Sequence, residues 1–240
     1  MSIIYKIELV LHQYQLNPYR VNNPIKFFLI WALAPLLLFF SLSLEAKEKG
    51  NVGLTANMPY ADIQYKGNKI RIKRIQNEDN RLTDNFTKTS RPCPPFCIFP
   101  MDAAPNVKTV GELELIEFLK KNKSSETGLL IDARLSKFYD VETIPGAINI
   151  PFTLFTSSSI KDVAPLLGVK QKENSYDFSQ AKILYLFCNG PWCGQSPRAI
   201  KALINFGYPA SKIYYYRGGM QLWKLFSLTT VLPKPNKIDQ

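Results

Sequence analysis

Four short apolar runs, Gly128–Ile131, Ala147–Ile150, Ile183–Phe187 and Ile213–Tyr216, are separated by stretches of which several carry helical spacing. A continuous short apolar run is the pattern of a strand buried on both faces. Parallel strands need crossovers, and helices supply them. The expected fold is therefore α/β: a doubly wound parallel sheet flanked by helices. In such a sheet ligands bind beyond the carboxyl ends of the strands.

The flanking residues fit that scheme. Thr109-Val-Gly-Glu112 reads as a capping box opening a helix from Glu112 to about Asn122, with Leu113, Leu115, Ile116 and Leu119 as its buried face. Leu154–Leu167 reads as partly helical and Lys170–Ser179 as loop. Upstream, Ala61–Tyr65 and Ile70–Ile75 alternate apolar and polar residues on either side of a Gly-Asn turn, the signature of a β-hairpin. A lone hairpin is marginal, so this one is expected to pack on another element. Asn77–Ser90 is polar and loop-like.

Phe27–Leu44 carries no charge. At ~1.5 Å per residue it nearly spans a hydrocarbon core of ~30 Å. Arg20 and Lys26 precede it, so that flank is expected to stay cytoplasmic and the remainder to be exported. Residues 1–46 thus read as a signal peptide or a membrane anchor, with imperfect cleavage sites at Ser41–Ser43 and Leu44–Ala46. A buried core helix is the alternative without export. Export places the rest in an oxidising compartment, the periplasm in a Gram-negative cell, either soluble or anchored by residues 27–44. The expected organisation is then a hairpin and cysteine-bearing extension over 47–108, the α/β domain over 109–231, and a flexible tail over 232–240.

The only histidine, His12, precedes the apolar run. Imidazole-dependent Ser-His-Asp and Cys-His catalysis is thereby excluded from the globular part, as is histidine-ligated zinc. No metal or cofactor is expected. Residues 47–240 keep +10 of the formal charge of +11. No zinc-finger, RNP or basic-helix pattern accompanies that charge, so it reads as a solvated cationic surface that attracts a small anion, not nucleic acid.

Chemistry concentrates after the third run, in Phe187-Cys188-Asn189-Gly190-Pro191-Trp192-Cys193-Gly194-Gln195-Ser196-Pro197-Arg198. Ser196 suits an N-cap and Pro197 the first helical position, with Gly207 as the stop. Strand, tight loop and helix N-terminus therefore follow one another. Gly190 and Gly194 allow positive φ, which would turn loop amides inward around an anion. A thiol at Cys188 is expected to ionise readily in such a seat, and thiolate is the reactive form. The bland alternative is a buried, inert cysteine.

Several ordered motifs over about half the chain resemble the rhodanese superfamily. Leu130-Ile-Asp132-Ala-Arg134 is similar to its Asp-x-Arg strand end, and Tyr139 through Ile144-Pro-Gly-Ala-Ile-Asn-Ile-Pro151 to its Ile-Pro-Gly stretch. Gly207-Tyr208, Gly218-Gly219 and Trp223 resemble its closing segment, and Cys188 occupies its catalytic position. The resemblance implies a sulfurtransferase. Cys188 attacks the outer sulfur of a small anionic donor such as thiosulfate or a persulfide, and the new persulfide passes to a thiol acceptor, a redox protein among them, or to cyanide. It makes Asn189, Gly190, Pro191, Trp192, Gly194, Gln195 and Ser196 the backbone cradle, and Asp132 and Arg134 supporting residues. The sequence departs from the pattern in three places. Thr143 stands where histidine is common, and Pro191 and Cys193 replace the glycine and arginine of Cys-x-x-Gly-x-Arg. Arg198 or Arg217 would have to replace the missing arginine. The sixth residue after Cys188 is Gly194, not arginine, which argues against phosphate-ester chemistry.

Cys193 has two readings: a resolving thiol that attacks the Cys188 persulfide, or a residue that only fills the loop or pairs structurally. Cys93 and Cys97, in a proline-stiffened segment, have several: a structural disulfide, a redox-active pair that reduces a Cys188–Cys193 bond, metal binding or cross-pairing. Three functions follow: a sulfurtransferase, an exported thiol–disulfide oxidoreductase or sulfur relay using all four cysteines, and a non-catalytic binding module.

Overall fold

The computed structural model describes residues 51–65, 67–122, 126–156 and 158–233. The charge-free run at 27–44 and the last seven residues of the tail lie outside them. No helix among the described residues is long and apolar enough to cross a membrane.

Two strands, β1 (Tyr60–Tyr65) and β2 (Asn68–Lys73), form the antiparallel hairpin. Tyr65 pairs with Asn68, so the connection is two residues long and Asn68 belongs to the ladder. Gly67 takes φ +76°, a conformation that suits glycine in a tight hairpin turn. Next come β3 (Lys108–Val110), α1 (Glu112–Lys121), β4 (Gly128–Asp132), α2 (Ser136–Tyr139) and β5 (Ala147–Asn149). The stretch from Leu154 onward holds one short helix, α3 (Ile160–Val163), and a small pair, β6 (Lys170–Gln171) and β7 (Tyr176–Asp177). The chain finishes with β8 (Ile183–Phe187), α4 (Gln195–Asn205), β9 (Ile213–Tyr216) and α5 (Gly219–Leu225).

The sheet runs in the order β3-β9-β8-β4-β5, and every pairing in it is parallel. Alternate residues of each inner strand feed two cores. Leu129, Ile131, Leu184, Leu186 and Ile213 meet Ala199, Ile200 and Leu203 of α4 on one face. Leu130, Tyr185 and Phe187 meet Leu115, Ile116 and Leu119 of α1 and Trp223 of α5 on the other. Burial on both faces explains why the strands read as unbroken apolar runs.

The hairpin joins the second core through Ala61, Ile63 and Ile72. The Tyr65 hydroxyl donates to the Ala147 carbonyl at 3.0 Å, and the Lys73 amide donates to the Thr229 hydroxyl at 3.0 Å. The hairpin therefore completes the α1 side of the sheet rather than standing apart from it.

Two expected caps differ. Thr109 lies in β3, and its hydroxyl donates to the Met101 carbonyl at 2.7 Å. The N-cap of α1 is Gly111, whose amide donates to the carboxylate of Glu114 at 3.0 Å. Leu113 is exposed, because it falls off the helical stripe defined by Leu115, Ile116 and Leu119.

Candidate active site

Because all five strands are parallel, their carboxyl ends share one edge of the sheet. Asp132 ends β4, Cys188 follows β8 and Arg217 follows β9. The chain leaves β4 towards β5 and returns on the far side at β8, so the β4–β8 crevice is the point where the strand order reverses.

At the end of β4, Asp132 and Arg134 form a buried ion pair with Nη2–Oδ2 2.6 Å and Nε–Oδ1 2.9 Å. Arg134 also donates to the Glu142 carbonyl. The Thr143 hydroxyl donates to the same Asp132 carboxylate at 2.8 Å. The pair fastens the loop after β4 to the segment that leads into β5. A buried carboxylate tolerates burial only when it is ion-paired and hydrogen-bonded, as here.

The two loop cysteines are free thiols with different surroundings. Cys188 is 2% exposed. Its thiol donates to the Cys193 carbonyl at 3.1 Å, and the Ser196 hydroxyl donates to its sulfur at 3.1 Å. Desolvation pushes this thiol well up, and Cys193 adds to the rise, against opposing hydrogen bonds from Ser196. Cys193 is 5% exposed and lines the neighbouring cleft, which Cys188 does not. Its thiol is lowered to about 7, first by the Cys188 thiol and then by the backbone amides of Asn189 and Gln195, which outweigh its own desolvation. The spacing of the loop predicts a thiolate at Cys188; of the two adjacent sulfurs it is Cys193 that lines the cleft, and its ionisation is favoured first by the Cys188 thiol beside it.

The two loop glycines serve close approach, not unusual dihedrals. Neither Gly190 nor Gly194 is among the glycines with positive φ. A Cβ on Gly194 would lie 2.5 Å from the Phe99 ring, and one on Gly190 would lie 3.0 Å from Gln221 Cβ. The positive φ belongs to Gly219, at +55°, where a side chain would collide with the Cys188 carbonyl. That approach lets the α5 amides of Met220 and Gln221 donate to the carbonyls of Cys188 and Asn189 at 3.0 and 2.9 Å.

Ser196-Pro197 predicts a cap at Ser196. The helix α4 begins two residues earlier, with Gly194 as its N-cap. Ser196 sits buried in the first turn with its hydroxyl turned to Cys188.

The cleft has a volume of about 540 Å³. Among its charged walls, Arg91, Arg134, Arg198 and Lys224 face Asp84 and Glu142. Arg134 is paired with Asp132 and Lys224 with Glu142 at 2.7 Å, which leaves Arg198, and Arg91 whose guanidinium also donates to the Asn85 carbonyl, as the wall cations without a carboxylate partner among the described residues. Arg217 is engaged elsewhere: its guanidinium holds the carbonyls of Phe99 and Pro100 at 2.9 and 3.3 Å. Trp192 lines the cleft, packs 5.1 Å from Phe96 and donates to Gln221 at 2.6 Å.

Cys93 and Cys97 are joined in a disulfide. Their segment lies over the active loop: the Phe99 amide donates to the Pro191 carbonyl at 3.1 Å, and Arg91 stacks over both Phe96 and Trp192.

Sequence reasoning misses Arg91, Phe99, Gln221 and Tyr215. The Tyr215 hydroxyl is buried with no hydrogen-bond partner, and its ionisation is opposed first by burial and then by the charge of the nearby loop sulfurs. Phe99 leaves no signal in its own segment, since its partner Gly194 is distant in sequence. Gln221 carries a weak one, as it follows Gly218-Gly219 into a helix.

The model of the rhodanese-like domain family matches residues 114–225. No curated protein matches the sequence. Among solved structures, the As-Sb reductase from Leishmania major is 23% identical, with 50% of this chain and 79% of that one covered and a TM-score of 0.37. Thiosulfate sulfurtransferase from Pseudomonas aeruginosa is 18% identical over 56% of this chain and 22% of that one, with a TM-score of 0.38. A rhodanese-like domain of an Anabaena protein is 18% identical over 55% and 87%, with a TM-score of 0.37. Residues 114–225 are thus a rhodanese-like domain, and both free cysteines, Cys188 and Cys193, lie within it.

Proposed function

We propose that this domain is a sulfurtransferase whose two-cysteine loop takes up sulfane sulfur as a persulfide and hands it to a thiol. The observation that carries the reading is the seat of the Cys193 sulfur. It faces a cleft with Arg91 and Arg198 in its walls, and the amides of Asn189 and Gln195 support its anion. A thiolate available near neutral pH is the requirement for attack on sulfane sulfur.

On this reading Cys193 is the nucleophile. Its thiolate attacks the outer sulfur of thiosulfate or of a small persulfide. The donor's sulfur–sulfur bond breaks, and sulfite or a thiolate leaves with the bonding electrons. The negative charge on the new persulfide stays within reach of the loop amides and the two arginines. An acceptor thiolate then attacks the outer sulfur and regenerates Cys193. Cys188, which the sequence alone singles out as the nucleophile, becomes the protonated partner behind it. Asp132, Arg134 and Ser196 hold the loop and its neighbours in place. Export through residues 27–44 fits the Cys93–Cys97 disulfide, which suits an oxidising compartment.

Intact-protein mass after thiosulfate treatment tests the reading. Reduced wild-type protein is expected to release one equivalent of sulfite, and Cys188→Ser, which leaves no neighbouring thiol to resolve the persulfide, to gain about 32 Da as well. Cys193→Ser is expected to show neither. A gain that follows Cys188 would reverse the two roles. No gain in wild-type protein, with no sulfite released, would overturn the sulfurtransferase reading.

A further inference from the structure

The segment carrying Cys93 and Cys97 is anchored to the active loop at two points. Phe96 packs on Trp192, and Phe99 meets Pro191 by a hydrogen bond and Gly194 by its ring. Cys97 lies between the first pair of anchors, Phe96 and Phe99. Cys193 lies between the second pair, Trp192 and Gly194. Both cysteines line the same cleft. Arg217 holds the carbonyls of Phe99 and Pro100, so the segment is fastened from the sheet side too. Cys93 is exposed and stands at the outer end of the disulfide.

We infer that Cys93 and Cys97 are the resident reductant of the loop pair, so that the protein converts sulfane sulfur to hydrosulfide through an internal dithiol relay. The inference rests on the sulfurtransferase reading for its first step, the persulfide on Cys193. Cys188 then attacks the inner sulfur of that persulfide. The persulfide bond breaks, hydrosulfide leaves with its electron pair, and a Cys188–Cys193 disulfide forms. The thiolate of Cys97 attacks Cys193, and Cys188 leaves and takes up a proton. Cys93 then attacks Cys97 and releases Cys193 as thiolate. The two electrons that reduce the sulfane sulfur come from Cys93 and Cys97, which end as a disulfide. This end state, with the outer pair bonded and the inner pair free, is the one in the structure. A second turnover requires an external dithiol reductant, which reaches the outer pair at exposed Cys93.

Attack at Cys97 rather than Cys93 follows from placement, because Cys97 and not Cys93 lines the cleft with Cys193. Tethering on one chain raises the effective concentration of the outer pair to about the millimolar range, well above that of a free dithiol in dilute solution.

Single-turnover chemistry on the full chain tests this. Fully reduced wild-type protein receives one equivalent of thiosulfate, and remaining thiols are alkylated and mapped. The expected result is one equivalent of hydrosulfide and the loss of two thiols, located at Cys93 and Cys97, with Cys188 and Cys193 still alkylated. A bond that stays at Cys188–Cys193, or a persulfide that persists with all other thiols free, would overturn the relay while leaving sulfur uptake standing. Absence of any sulfur transfer would count against the uptake reading. In that case the relay is judged by a trap, Cys93→Ser with Cys188→Ser, under mild oxidation. The expected product is an intramolecular Cys97–Cys193 disulfide that forms at a rate independent of protein concentration. Its absence in a folded variant would overturn the relay by itself.

Discussion

The hydroxyl of Ser196 donates to the sulfur of Cys188 at 3.1 Å, and that sulfur's own proton points at the carbonyl of Cys193. Cys188 is thereby held as a buried, hydrogen-bonded thiol. Ser196→Ala removes the one side-chain hydroxyl that supports its ionised form. Sulfur uptake at Cys193 is expected to persist, while closure of the Cys188–Cys193 bond slows. Stability is expected to fall by about 1 kcal/mol, the usual net value of one hydrogen bond, as read by denaturant titration.

The Asp132–Arg134 pair is expected to be the most costly polar feature to break. Asp132→Ala leaves a buried guanidinium without its carboxylate, a loss of about 3–5 kcal/mol in unfolding experiments. Thr143→Val removes a single hydrogen bond to the same carboxylate and is expected to cost about 1 kcal/mol. Similar losses from the two variants would show that the ion pair holds this corner of the fold no more firmly than the threonine does.

Gly194→Ala places a methyl group against the Phe99 ring. The ring must move, and the disulfide-bearing segment moves with it. A stability loss of about 1–3 kcal/mol is expected, with faster proteolytic cleavage between Arg91 and Pro100. Unchanged cleavage would show that the segment is not seated on the active loop through this contact.

Tyr215→Phe deletes a buried hydroxyl that has no partner. A gain in stability of about 1 kcal/mol is expected, because an unsatisfied buried polar group is removed without loss of ring packing. A loss instead would reveal a hydrogen bond that the tyrosine makes in solution.

Apolar patterning made much of the fold legible. The four runs correspond to β4, β5, β8 and β9, since strands covered on both faces have no polar residues to disguise them. The edge strand β3 has three residues, too few for a pattern, and Thr109 within it mimics a helix cap. The position of the Cys188 loop at the carboxyl end of β8 was legible for the same reason as the sheet. Which of its sulfurs lines the cleft was not, because that depends on how the chain turns between Asn189 and Gln195. The approach of Phe99 to Gly194 was equally hidden, because it joins segments that nothing in the local sequence connects.

The most direct test of the central claim is the pH dependence of thiol alkylation, mapped to each cysteine in the folded protein. Cys193 has a lowered pKa, so its thiolate disappears as pH falls through about 7, and its thiolate fraction, unlike that of an ordinary thiol, is already high at pH 8. Alkylation of Cys193 is expected to rise with a midpoint near 7 and to precede that of Cys188 throughout. Preferential alkylation of Cys188, or a midpoint for Cys193 at the ordinary thiol value, would contradict the assignment of Cys193 as the reactive sulfur.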